Sequence, residues 1–219
     1  IIDLAKVKQE TRGRLEQYRA MLLVCTGTGC VAAKGFRIRD GLNRVLQEKG
    51  RQKDYLVVGT GCNGFCAVGP IIVVQPEGIF YQRVKEADLA EIVEQHLLGG
   101  KIVDRLLYRD PVTQATPQKM SDMKFFSKQQ LIALRNKGLI DPEDINQYIA
   151  RDGYASLRKV LSDNQPGQVV ADLVASGLRG RGGGGFPTGV KWQSARKAGI
   201  ERGFPPYVVC NGDEGDPGA

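Results

Sequence analysis

The sequence predicts an α/β protein in two parts: a sheet-centred domain, then the helical start of a second α/β domain. Three observations carry this. Up to about residue 98, helical apolar spacing alternates with short apolar runs; cysteines stand at the ends of two of those runs; and a glycine-rich stretch near 177–192 lies between two helical patterns.

The elements follow in order. Residues 3 to 18 place Leu4, Val7, Leu15 and Tyr18 at helical spacing, and Met21 to Val24 form a buried-strand run that delivers Cys25 at its carboxyl end. Residues 34 to 49 are polar except for a face with Leu42, Val45 and Leu46, which reads as a helix. Tyr55 to Val58 is a second strand ending in a cysteine loop. Ile71 to Val74 and Ile79 to Val84 pair as a hairpin across Pro76-Glu77-Gly78, and residues 86 to 98 close as a helix with Leu89, Ile92, Val93 and Leu97 inward. This order, strand, helix, strand, hairpin, helix, is an α/β sandwich of thioredoxin type, with both cysteine loops at one end of the sheet. Gly69-Pro70 stands where such folds often place a cis proline, although the sequence leaves the isomer open. His96, in a Glu/Gln-rich helix end, reads as a solvated surface residue.

Residues 108 to 126 contain Pro111 and Pro117 without clear periodicity and read as a connector wrapping a surface. Helical patterns then resume. Ser127 caps a helix through Arg135 that ends at Gly138, Asp141-Pro142-Glu143 starts another, and residues 153 to 162 and 166 to 176 add two more.

Cys25, Cys30, Cys62 and Cys66 form Cys-x4-Cys and Cys-x3-Cys pairs flanked by glycines. Thiolate tetrads hold zinc or iron–sulfur clusters, and the missing Cys-x2-Cys knuckle favours the cluster over zinc. Thr26-Gly27-Thr28-Gly29, with Gly61, Asn63 and Gly64, lets bare backbone approach a bulky group and aim N–H donors at its sulfurs. Disulfides fit poorly, because no signal peptide is evident and Cys210 would be left over.

The second motif is Gly177-Leu-Arg-Gly-Arg-Gly-Gly-Gly-Gly-Phe-Pro-Thr-Gly-Val-Lys-Trp192, leading into a helix near Thr188. Glycines at a helix N-terminus make a nest of N–H donors for phosphate, and Arg179, Arg181 and Lys191 add positive charge. Gly180, Gly182 and Gly185 satisfy Gly-x-Gly-x-x-Gly, but a helix capped by Gly177 precedes them rather than the strand a Rossmann unit requires. A Walker A loop fails because Val190 follows Gly189. A flexible linker leaves Phe186, Pro187 and Trp192 unexplained. Tyr207 to Cys210 reads as a buried strand, with Cys210 a small core residue, running into an acidic glycine loop with Asp213, Glu214 and Asp216. Those carboxylates suit ligand hydroxyls or ring N–H groups rather than phosphate.

The formal charge of +7 is spread over both halves without a basic, aromatic-rich block, which argues against nucleic acid. No apolar run is long enough to span a bilayer, so membrane contact would come through a partner. The chain reads as cytoplasmic, and its ends, Ile1 without methionine and Ala219 just after an acidic loop, read as those of a fragment.

Together the Gly177–Trp192 stretch and Val209-Cys-Asn-Gly-Asp-Glu-Gly-Asp-Pro-Gly218 resemble the FMN- and NADH-binding flavoprotein subunit of complex I and its soluble relatives. The cysteine pattern is similar to that of the thioredoxin-like [2Fe–2S] domain. Their fusion resembles subunits of NAD(P)-linked hydrogenases, formate dehydrogenases and electron-bifurcating enzymes. The resemblance implies a thioredoxin-like [2Fe–2S] domain at 1–107, a linker at 108–126, and the truncated N-terminal part of the flavoprotein domain at 127–219. It implies [2Fe–2S] on Cys25, Cys30, Cys62 and Cys66, and FMN on Gly180, Arg181, Gly182, Lys191, Asn211, Asp213 and Glu214. NAD(H) would meet Phe186 and Asp216, and a [4Fe–4S] cluster would lie beyond Ala219. Gly184, often alanine in the family, and Asp216, often glutamate, depart from its pattern. The implied activity is electron transfer between NAD(H), FMN and iron–sulfur clusters, with the flavin carrying the chemistry and the other subunits of a redox complex as partners. The alternative is a catalytically silent ferredoxin-like carrier or docking module.

Overall fold

In the computed structural model, which describes residues 2–211, helix α1 (Leu4–Leu15) starts where the Asp3 carboxylate accepts hydrogen bonds from the N–H groups of Ala5 and Lys6. Strand β1 (Ala20–Cys25) follows, then the short helix α2 (Thr28–Ala32) and helix α3 (Gly35–Glu48). Strand β2 (Tyr55–Thr60) runs parallel to β1, with Ala20 opposite Tyr55 and Cys25 opposite Thr60. A parallel pair needs a crossover, and α3 supplies it. Strands β3 (Ile72–Gln75) and β4 (Ile79–Tyr81) complete the sheet as an antiparallel hairpin, giving the order β2-β1-β3-β4. Because β1 and β2 are parallel and in register, both cysteine loops leave the same end of the sheet. The Gly69–Pro70 and Gln75–Pro76 bonds are cis.

The sheet buries both faces, so side chains alternate between two apolar layers. Leu22, Val24, Ile72, Val74 and Tyr81 meet Ile38, Leu42 and Leu46 of α3 and Leu89, Ile92 and Val93 of the last helix of this region. That helix, α4 (Leu89–Glu91), continues as a π-helical stretch, Ile92–Leu98. On the opposite face Leu23, Cys25, Val58, Val73 and Phe80 are covered by Tyr108, Met120, Met123 and Phe126 of the connector. The connector also extends the sheet, for the Phe80 N–H donates to the Gln118 carbonyl and that of Met120 to the Gly78 carbonyl.

Two expectations fail in this first unit, which extends to Asp152. The expected helix from Ser127 to Arg135 does not form: α5 (Lys124–Ser127) ends at Ser127, and Leu131, Ile132 and Leu134 are exposed outside regular structure. Helical spacing stabilises a helix only where the apolar face has a surface to cover. His96 is buried rather than solvated, with 5% of its surface exposed; Nδ1 lies 2.9 Å from the Tyr81 hydroxyl and Nε2 2.8 Å from the Glu77 carboxylate. Turning it inward satisfies the Tyr81 hydroxyl, which also accepts from the Val103 N–H. Helix α6 (Ile145–Ala150), N-capped by Asp144, packs against α1.

The second unit, from Gly153, is helical. It comprises α7 (Ala155–Asp163), α8 (Pro166–Ala175) with proline in its first turn, and α9 (Thr188–Arg202). A Cβ on Gly189 would fall 2.4 Å from the Val174 backbone nitrogen, so α8 and α9 touch backbone to backbone there. The expected buried strand at Tyr207–Cys210 is absent: the segment has no regular structure, and Tyr207, Val209 and Cys210 are exposed. A strand needs a neighbouring ladder, and the described residues of this unit form no β-strand.

Candidate metal centre and glycine loop

Cys25 ends β1, where its N–H donates to the Ile71 carbonyl, and Cys30 lies in α2; both are buried. Cys62 and Cys66 lie in the loop after β2, the first half-buried and the second exposed. Glycines let the two loops interlock. A Cβ on Gly27 would stand 2.8 Å from Cys62 Cβ, one on Gly29 3.0 Å from Cys66 Sγ, and one on Gly69 2.6 Å from Cys30 Sγ. Each of these glycines thus admits a cysteine from another segment, and any larger residue would separate them.

The thiols come in twos. Cys62 Sγ and Cys66 Sγ are 4.0 Å apart, close to the roughly 3.8 Å expected for two thiolates sharing a tetrahedral metal with bonds of about 2.3 Å. Cys30 stands close enough to Cys25 to be the largest influence favouring its thiolate. Among the described residues no three His, Cys, Asp or Glu side chains form a ready polyhedron for a single ion. Four thiols brought together from two interlocked loops are a donor set that fits a dinuclear iron–sulfur cluster.

The electrostatics agree with shared deprotonation. The Cys25 thiol is pulled down to about 6, first by the Cys30 thiol and then, against the cost of burial, by the N–H groups of Gly27 and Asn63. Cys30 is pushed up by the same interaction with Cys25, by burial and by the neighbouring thiolate charges. Burial also raises Cys62, against the Gly64 N–H that donates to its sulfur at 3.2 Å. Crowded thiols resist losing all their protons unless a cation cluster neutralises them.

Three side chains beside the cysteines have positions to which the sequence reading gave no role: Asn63, Phe65 and Lys137. Asn63 is 1% exposed, and neither Nδ2 nor Oδ1 makes a well-formed protein hydrogen bond, although the amide lies close enough to Cys25 to favour its thiolate. An unpaired buried amide costs about 1–3 kcal/mol. Phe65, between Cys62 and Cys66, packs in an aromatic cluster with Phe80, Tyr108, Phe125 and Phe126. The Lys137 ammonium lies over the Phe126 ring, 5.7 Å from its centroid; burial disfavours its charge and the Cys62 and Cys25 thiolates favour it. The Cys-Asn-Gly-Phe-Cys run places Asn63 and Phe65 between two of the thiols, a positional signal available in the sequence; nothing local pointed to Lys137.

In the second unit the glycine loop is pinned at its base. The Gly180 N–H donates to the Phe186 carbonyl at 2.9 Å, and that of Thr188 to the Leu178 carbonyl at 2.9 Å. Gly183 and Gly185 take positive φ, and an added Cβ at Gly182, Gly183, Gly184 or Gly185 would meet open space. Gly180, Arg181 and Gly182 therefore lie on one exposed loop at the start of α9, and Lys191 lies in the first turn of that helix. Helix starts leave N–H donors unpaired, so the described part of the loop suits a phosphate. Phe186 is exposed on the same loop, and Asn211 is exposed without regular structure. Asp213, Glu214 and Asp216 lie outside the described residues. Gly189, read as part of the loop, is instead the contact between α8 and α9.

Comparison with known proteins identifies two regions. Residues 14–97 match the thioredoxin-like [2Fe–2S] ferredoxin family and residues 173–219 the Nuo51 FMN-binding domain. The chain is 54% identical over 90 residues to the NADP-reducing hydrogenase subunit HndC of Solidesulfovibrio fructosivorans, covering 41% of this chain and 18% of that subunit. It is 38% identical to a 2Fe–2S ferredoxin of Clostridium pasteurianum, covering 35% of this chain and 76% of the ferredoxin. Among solved structures, the thioredoxin-like [2Fe–2S] ferredoxin from Aquifex aeolicus aligns at 30% identity and a TM-score of 0.39, covering 41% of this chain and 95% of that one. The chain thus spans less than a fifth of the length of HndC.

Proposed function

The chain belongs to the thioredoxin-like [2Fe–2S] ferredoxin family through residues 14–97 and carries a Nuo51 FMN-binding region at 173–219, and from that premise we propose that it is an electron-transfer subunit of an NAD(P)H-linked flavin and iron–sulfur oxidoreductase. The observation that carries this reading is the interlock of two thiol pairs through Gly27, Gly29 and Gly69. Cys25 and Cys30 would hold one iron and Cys62 and Cys66 the other. Exposure of Cys66 puts that end of the site nearest the surface, where an electron would enter or leave.

FMN, when bound, accepts a hydride from NAD(P)H and passes electrons on singly. The chain's own residues bind and orient. With the Gly180 N–H engaged by the Phe186 carbonyl, Gly180 would shape the loop and the N–H groups that follow it, at Arg181 and Gly182, would hold the FMN phosphate at the start of α9, with Arg181 and Lys191 balancing its charge. Asn211, Asp213 and Glu214 would meet the ribityl and ring polar atoms, Phe186 would stack on the nicotinamide, and Asp216 would contact NAD(H). We assign residues 1–107 to the [2Fe–2S] domain, 108–126 to a linker lying on its sheet, and 127–219 to the start of the flavoprotein domain. The partners would be iron–sulfur and catalytic subunits of a multi-subunit redox complex of the hydrogenase or formate dehydrogenase kind, in the cytoplasm. No helix among the described residues is long and apolar enough to cross a membrane.

Anaerobic addition of NADH to the chain loaded with cluster and FMN tests the proposal. Bleaching of the cluster's visible absorption by NADH supports it. Bleaching by dithionite alone, with FMN bound, would rule out the nicotinamide route and leave a ferredoxin-like carrier.

A further inference from the structure

We propose that Asn63 is a positioning residue for the cluster, its side-chain amide donating a hydrogen bond to a cluster sulfur and favouring the reduced state. The inference rests on the [2Fe–2S] reading of the four cysteines. Three observations carry it. Asn63 follows Cys62 directly, and its side chain is 1% exposed. Neither polar atom of the amide makes a well-formed hydrogen bond within the protein, which is rare for so buried a group. Asn63 stands between Cys62 and Cys66 in the sequence, and a Cβ on Gly27, in the loop after Cys25, would meet Cys62 at 2.8 Å, so Asn63 lies beside the point where the two cysteine loops interlock.

The chemistry selects the donor end of the amide. A cluster of two ferric ions, two sulfides and four thiolates is a dianion, and one-electron reduction makes it a trianion. All its sulfurs accept hydrogen bonds and none donates. The amide Nδ2 group carries two N–H donors, so in the loaded site it turns them towards sulfur. A donor stabilises the trianion more than the dianion, and its loss shifts the couple towards the oxidised form. A merely space-filling Asn63 would leave that equilibrium unmoved.

The test compares the wild-type chain with Asn63→Leu, which keeps the branched outline and removes the donor, and Asn63→Ser, which restores a shorter donor. Each is loaded anaerobically, assayed for iron and titrated for its reduction potential. The reduced clusters are then compared in light and heavy water for magnetic coupling to exchangeable deuterons. Asn63→Leu is expected to bind the same iron and to shift the reduction equilibrium about tenfold towards the oxidised form, equivalent to roughly 59 mV for one electron. It should also lose one deuteron coupling, and Asn63→Ser should recover part of both effects. An unchanged potential and deuteron pattern in a fully loaded Asn63→Leu chain overturns the proposal. If Asn63→Leu fails to load, Asn63→Ser decides, since a wild-type potential without the deuteron coupling overturns it equally. A wild-type chain that takes up no iron refutes the cluster reading itself and not the role of Asn63 within it.

Discussion

Replacing Gly27 by alanine forces a test of the interlocked loops. The new Cβ would sit 2.8 Å from Cys62 Cβ and 3.0 Å from Cys62 Cα, about 0.7 Å short of the roughly 3.5 Å at which carbons make contact. Cys62 Cα is main chain and Gly27 caps α2, so neither side can swing a flexible side chain away. Overpacking of this kind costs about 1–3 kcal/mol, against about 0.4–1 kcal/mol regained because alanine restricts the unfolded chain. The net loss, up to about 2.6 kcal/mol, corresponds to a fall in Tm of up to about 10 °C for a chain of this size. Cluster loading should fall further, because ligand positions tolerate only about 0.2 Å of error. Thermal unfolding of the cluster-free chain and iron content after anaerobic loading measure the two effects separately. Gly61→Ala is the control: it lies next to Cys62, and its Cβ would meet nothing within 4 Å. A Gly27→Ala chain with the Tm and iron content of the Gly61→Ala chain would refute the interlock.

Other outcomes follow from the same geometry. In Gly189→Ala the added Cβ meets the Val174 main chain at 2.4 Å, so α8 and α9 must separate; a loss of at least about 1–3 kcal/mol in the second unit is expected, read by helical circular dichroism on heating, with Gly182→Ala unchanged. His96→Leu deprives the Tyr81 hydroxyl of its buried partner and should cost about 1–3 kcal/mol in urea unfolding; a change within error would mean that the hydroxyl repairs itself with water. In the cluster-free chain Cys25 is lowered from 9.0 to about 6, a folded value below the unfolded one. Its contribution to stability is therefore complete above pH 9 and is lost as pH falls through about 6. Ultraviolet thiolate absorbance should show one group titrating near that lower value, absent from Cys25→Ser.

The sheet was legible because its strands are short apolar runs with helical patterns between them, and Met21 to Val24 reads the same in any context. The convergence of the cysteine loops was legible too, since parallel strands connected by a helix must point the same way. What failed depends on distant partners. The segment after Ser127 has helical spacing, yet Ile132 and Leu134 find nothing to cover. His96 looks polar locally, but two residues brought near by the hairpin, Tyr81 and Glu77, give it partners inside. Tyr207 to Cys210 has the composition of a strand but, among the described residues, no ladder to join. At the site, the glycines announced a close approach, but which cysteine each one admits became visible only in the folded chain.

The most direct measurement of the central claim is iron and acid-labile sulfide per chain after anaerobic preparation, with low-temperature electron paramagnetic resonance before and after dithionite. The account predicts two irons and two sulfides on Cys25, Cys30, Cys62 and Cys66, silent when oxidised and giving a spin-one-half signal when reduced, with the iron lost in Cys62→Ser. Stoichiometric zinc, or iron with no signal on reduction, would contradict it.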